Sequence, residues 1–142
     1  MSSRIQFDDV AVGDTAAPFV RITDLEVWNR FAAVNDEFVA VHMDDAAGRA
    51  AGNEAGAFGM GNLRLSYILN MLTGWFGVDT EILEVDVRYR SRNQRGDILT
   101  CVGEVTGKEV VAGRRIVYVK VDVLTEEGVS TTPGTAVVAL VS

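Results

Sequence analysis

Cysteine is almost missing from these 142 residues: Cys101 stands alone, so no intrachain disulfide can form and the fold must rest on its core. The apolar, strand-like surroundings of Cys101 suggest a buried thiol and not a nucleophile. Histidine is as scarce, with His42 the only one, and no His/Cys set has the spacing of a metal site. Basic residues are outnumbered 13 to 20 by acidic ones, for a formal net charge of −7 and a pI near 4.6. A phosphate backbone would meet a repulsive field with no basic tract to offset it, so nucleic acid is not an expected partner. Long apolar runs are missing too. The longest, Leu63 to Phe76, is interrupted by Arg64, Ser66 and Asn70 and falls short of the roughly 20 residues of a bilayer span. It reads as a buried helix, and no membrane association is expected. Met1 to Val10 carries Arg4, Asp8 and Asp9 and has no apolar centre, unlike a signal peptide, so a cytoplasmic location is expected. There is no dinucleotide fingerprint, phosphate-binding loop or nucleophile elbow, and no cofactor is expected.

What is present suits one compact domain over residues 1–142: 48% of the residues are hydrophobic, and no repeat, low-complexity stretch or linker divides them. Phe19 to Ile22 reads as a short strand. Thr23 or Asp24 can cap a helix in which Leu25, Trp28, Phe31 and Ala32 recur at helical spacing to about Asn35. A polar, glycine-containing passage, Asp36 to Phe58, follows, with a short helix over Asp44 to Ala51. From Gly59 to Phe76 apolar residues fall on most sides of one long helix, as expected of a helix wrapped by other structure. Ile82 to Ser91 then alternates, with Leu83, Val85, Val87 and Tyr89 on one face. Three more strands read over Ile98 to Thr106, Arg115 to Thr125 and Ser130 to Leu140. Helices first and an antiparallel meander after them give an α+β class, with the sheet curled around the long central helix. Its free edge predicts dimerisation.

Most of the candidate chemistry sits in the 36–58 passage. His42 lies within a few residues of Asp36, Glu37, Asp44 and Asp45, an arrangement suited to acid–base work, although a lone loop histidine is more often solvated or a helix cap. Gly59, Met60 and Gly61 stand where the long helix begins. Amides there lack intrahelical acceptors and face developing negative charge favourably. Arg88, Arg90, Arg92 and Arg95 form the single basic run, able to meet phosphates or simply to solvate a sheet face.

The 36–44 segment resembles the signature of the MaoC-like hydratases and dehydratases, which have the hotdog fold. That signature runs Gly-Asp-x-Asn-Pro-x-His-x-Asp; here His42 and Asp44 match, Val39 and Ala40 replace Asn-Pro, and Glu37 holds the acid position by spacing while Asp36 matches it by residue type. Gly59-Met60 is similar to the family's helix start, with Phe58 where His is common. Tyr89 to Leu99 resembles its strand-turn-strand stretch, with Arg92 in place of Pro. The resemblance spans residue 5 to the C-terminus. It implies a hotdog domain that interconverts trans-2-enoyl and 3-hydroxyacyl thioesters by activating water. Asp36, Glu37 and His42 would be catalytic, the Gly59 amide would stabilise the enolate-like oxygen, and Arg90 and Arg92 would bind coenzyme A phosphates. The implied partner is an acyl-CoA or acyl-carrier thioester, acting as substrate and not as cofactor, within a homodimer or a higher, homomeric or heteromeric, assembly. Two alternatives stand beside it: a non-catalytic acyl-binding or accessory hotdog subunit, favoured by the missing Asn-Pro pair, and an acyl-CoA thioesterase.

Overall fold

A computed structural model describes residues 5–141; Arg4, one of the charges read at the N-terminus, lies outside them. In chain order the elements are β1 (Phe19–Ile22), α1 (Leu25–Asn35), α2 (Asp45–Ala50), α3 (Gly61–Phe76), β2 (Glu81–Val87), β3 (Ile98–Val111), β4 (Arg114–Leu124) and β5 (Gly134–Leu140). Asp24 caps α1, its carboxylate accepting from the Val27 amide at 3.0 Å, and Asp44 caps α2 in the same way through Ala46. Both short carboxylates satisfy amides that the helix itself leaves open. The alternative cap, Thr23, is instead buried and accepts from Asn93 Nδ2 at 3.0 Å.

The long helix α3 forms the axis of the core. Leu63, Tyr67, Ile68, Met71, Leu72 and Phe76 are all buried along it, whereas Asn62, Asn70 and Gly74 are exposed. The buried residues recur every three or four positions and so cover one broad face. That face meets the inward side of the sheet, where Leu99, Cys101 and Val105 alternate along β3 and Val117, Val119, Val121 and Val123 along β4. Burial pushes the Cys101 thiol up to about 12, so it stays protonated and packs as a small apolar side chain. No helix among the described residues is long and apolar enough to cross a membrane.

The five strands are all antiparallel and lie in the order β1-β3-β4-β5-β2. The sequence predicted one continuous meander of four strands, and that holds only for β3, β4 and β5. β3 turns into β4 through Ala112 and Gly113, both at positive φ (50° and 78°), the geometry of a two-residue hairpin whose twist matches its strands. β2 pairs instead with β5 at the far edge. The chain must therefore cross from one side of the sheet to the other over residues 88–97, and this crossing runs over the start of α3.

The pattern expected in β2 also needs correction. Ile82 pairs with Val138 but Glu84 pairs with Val137, leaving Leu83 as the extra residue of a bulge. An inserted residue shifts the period-2 alternation by one, so Leu83 is exposed while Ile82, Val85 and Val87 pack on the core. Hydrogen bonding to the sheet continues past Val87 only through the amides of Arg88 and Arg90, which donate to Pro133 and Thr131.

Candidate active site

Polar side chains fasten the 36–58 passage to the 88–97 crossing. Asn53 Nδ2 donates to Gly56 O at 2.7 Å and to Gln94 Oε1 at 2.9 Å, and Gln94 Nε2 returns a bond to Asn53 Oδ1 at 2.9 Å. Asp45 accepts from the Ala57 amide and from Arg95, both at 2.9 Å. The Ala57 amide above all, with Arg95 and Arg49 behind it, holds this carboxyl below its usual range against the opposing effect of desolvation. Buried Asn93 accepts the Gly59 amide on its backbone oxygen at 2.9 Å. These bonds fix the two segments face to face across the first turn of α3.

Between them lies a cleft of about 430 Å³ lined by Glu37, His42, Phe58, Gly59, Gly61, Asn62, Arg64 and residues 89–92. It brings together five of the six residues singled out from the sequence: Glu37, His42, Gly59, Arg90 and Arg92. Asp36 is not among them. It ends α1 in the left-handed conformation (φ 53°, ψ 38°) and is exposed, one residue before the chain turns Glu37 toward the cleft.

His42 sits on a 3-10 turn, Ala40–His42. Its Nδ1 lies 2.8 Å from Phe58 O. A carbonyl oxygen only accepts, so Nδ1 carries the proton and Nε2 is left as the unprotonated, accepting nitrogen of the neutral ring. Phe58 also explains its own identity: the His42 ring meets it edge-on with centroids 5.4 Å apart, and the Arg92 guanidinium lies 4.5 Å from its centroid. An aromatic face held between an imidazole and a cation is a favourable packing. Glu37 is held as well, since Asn62 Nδ2 donates to its Oε2 at 3.2 Å and Tyr89 Oη donates to Asn62 Oδ1 at 2.9 Å.

The helix start departs from expectation by two residues. Met60 is extended (φ −79°, ψ 142°) and α3 begins at Gly61, so Gly59 lies outside the helix and its amide is already bonded to Asn93 O. The amides without intrahelical acceptors are those of Gly61, Asn62 and Leu63, and of these residues the first two line the cleft. Gly61 has to be glycine for another reason: a Cβ there would lie 2.4 Å from Tyr89 Cδ2, so the Tyr89 ring rests directly on the helix backbone.

Of the basic run, Arg90 and Arg92 are exposed at the cleft, Arg92 also donating to Ala51 O at 2.9 Å. Arg95 is paired with Asp45, and Arg88 does not line the cleft. Trp28 and Phe76 are buried in the core, Phe76 stacked with Trp75 at 4.4 Å, and none of the three reaches the cleft. Asn62, Arg64 and Tyr89 were not identified as site residues from sequence. The one signal for Arg64 was a charge in the middle of an apolar helical pattern.

No family model matches the sequence, and no curated protein matches it. Solved structures do match the fold. An (R)-hydratase from A. caviae involved in PHA biosynthesis superposes with a TM-score of 0.83 at 23% identity, covering 93% of this chain and 98% of that one. The ChsH1-ChsH2 complex from Mycobacterium tuberculosis gives 0.80 at 22%, covering 92% and 98%. A MaoC-like dehydratase from Rhodospirillum rubrum gives 0.77 at 21%, covering 94% of each. The chain therefore has the hotdog fold of the MaoC-like dehydratases and (R)-hydratases, its antiparallel sheet curled around α3 as the sequence predicted.

Proposed function

We propose that this hotdog chain is a hydratase that reversibly adds water across a trans-2-enoyl thioester. The observation that carries the reading is the convergence of Glu37 and His42 on one cleft at the open N-terminus of α3, with the His42 ring oriented by Phe58 O so that Nε2 can accept a proton. Glu37 and His42 Nε2 hold one water between them. One of them takes a proton from it as its oxygen bonds to C3, and the C2–C3 π electrons move toward the thioester oxygen. The amides of Gly61 and Asn62, at the positive end of the helix dipole, receive that developing charge. The proton is then returned to C2. The reverse sequence is dehydration. Arg90 and Arg92 stand at the mouth, where coenzyme A phosphates could be met without leaving water.

The test is loss of enoyl absorbance when the protein is mixed with crotonyl-CoA and with a longer trans-2-enoyl-CoA, while free thiol is followed in parallel. Absorbance loss without thiol is expected. Release of thiol would replace the hydratase with a thioesterase. No change with any thioester would favour an accessory or acyl-binding subunit, a reading supported by Val39 and Ala40 in place of Asn-Pro and by the two-component ChsH1-ChsH2 neighbour. Exposed Phe38 and Val39 beside Glu37, at 64% and 45%, and two sheet edges, β1 and β2, support an oligomer on either reading.

Gly61→Ala probes how Glu37 is held. The added Cβ must displace the Tyr89 ring and with it the Tyr89–Asn62–Glu37 chain, so kcat/KM for hydration should fall by about tenfold or more, because small misplacements of a reacting group are costly. Tyr89→Phe removes the Asn62 bond without the clash and should show a smaller fall.

A further inference from the structure

Arg64 is the only charged side chain on α3, and among the described residues no acidic side chain pairs with it. The residue is 3% exposed yet lines the cleft. Its Nη1 donates to the backbone oxygens of Ser91 at 2.6 Å and Thr131 at 3.4 Å, its guanidinium carbon lies 5.5 Å from the Tyr89 ring centroid, and its Nε has no partner. Among the described residues the ion pairs are Arg30–Glu26, Arg95–Asp45 and Arg114–Glu81; Arg64 has none. Burial lowers the guanidinium's pKa from its usual value, with nearby Tyr89 opposing, but a guanidinium remains charged throughout the physiological range. A buried cation without a counter-charge is disfavoured unless something else supplies one.

The rest of the cleft points the same way. Besides Phe58 and the glycines its lining residues carry polar groups, with Glu37, Asn62, Arg64, Tyr89 and Ser91 lining it alongside His42. A carboxylate would supply the counter-charge that no described residue gives Arg64.

We infer that the acyl group taken by this cleft carries a carboxylate at its far end, received by Arg64, so that the substrate is the monothioester of a short dicarboxylic acid. The inference rests on the thioester reading above and adds the identity of the acyl group. Coenzyme A phosphates are the other source of negative charge, but exposed Arg90 and Arg92 suit a hydrated phosphate at the surface. Arg64, buried at the first turn of α3, is reached only by a group that enters the cleft.

The experiment is equilibrium binding of two saturated thioesters of equal acyl length, glutaryl-CoA and pentanoyl-CoA, to the wild-type chain and to Arg64→Met and Arg64→Lys. Both ligands carry the same phosphates, so the affinity ratio isolates the acyl end. The wild type should favour glutaryl-CoA by about tenfold or more, as a charge-assisted pair in a desolvated site does. The ratio should fall to about one in Arg64→Met and be partly kept in Arg64→Lys. Equal affinities in the wild type, or a ratio unaltered by Arg64→Met in a protein that keeps its circular dichroism spectrum, overturn the proposal. Equal weakening of both ligands by Arg64→Met also overturns it and assigns Arg64 to the phosphates. The wild-type ratio and Arg64→Lys decide the matter if Arg64→Met does not fold. Hydration of glutaconyl-CoA, followed separately, tells the two readings apart: selective binding without hydration removes the hydratase and leaves the carboxylate site standing.

Discussion

His42→Ala should lower kcat for enoyl thioester hydration by about 10²–10⁴-fold, the range a positioned acid–base group contributes, with the thermal midpoint little changed. Glu37→Gln should fall by a similar order, because the amide keeps the bond from Asn62 but cannot take a proton. Asp36→Asn should stay within about threefold of wild type: the residue is an exposed helix end in the left-handed conformation, which asparagine adopts readily. The three variants together separate the two acids that the sequence leaves side by side. A collapse of activity in Asp36→Asn with Glu37→Gln still active would reverse the assignment and require the loop to rearrange on binding substrate.

Leu72→Ala should destabilise the fold by about 3 kcal/mol, within the usual range for emptying a fully buried leucine site, and lower Tm by roughly 10 °C. Leu72 is completely buried at the centre of α3, with Ile68 one turn before it also at 0% exposure, where the curled sheet leaves little room to collapse into the void. Asn70→Ala on the exposed side of the same helix should change stability by less than about 0.5 kcal/mol. Chemical denaturation of the three proteins checks both values. An equal loss in Asn70→Ala would mean that α3 is held by its surface and not by the sheet around it.

The first helix was legible in the sequence because periodicity and capping acted together, Asp24 standing before a run of helical spacing and accepting an amide at the helix start; α2, too short for a repeat, was marked by the glycines after it, and the structure adds Asp44 as its cap. The beginning of α3 was not legible, because Gly59-Met60-Gly61 contains no side chain able to cap. The boundary is set by a long-range bond from the Gly59 amide to Asn93. In the same way the alternation in β2 gave the strand and the shared face of Val85 and Val87 but put Leu83 there in place of Ile82, since a bulge at Leu83 leaves no mark in the residue pattern. The placement of β2 against β5 is a tertiary choice that local pattern does not encode. At the site, spacing from His42 selected Glu37, which does line the cleft. Asn53, Asn93 and Gln94, which hold the loop and crossing together, are amides common on any surface, and only their partners in space distinguish them: Asn53 and Gln94 pair reciprocally, and Asn93 takes the Gly59 amide on its backbone oxygen.

The bulge at Leu83 also bears on how copies of this chain can meet. A sheet whose outer strands are long and regular offers a template onto which further strands can add without limit. Here one outer strand, β1, is four residues long and the other, β2, is bent by the bulge. Indiscriminate strand addition finds only short matching stretches at either border. Association of this chain should therefore depend on a shape-matched surface that closes on itself, giving assemblies of fixed size and leaving open-ended fibres disfavoured even at high protein concentration.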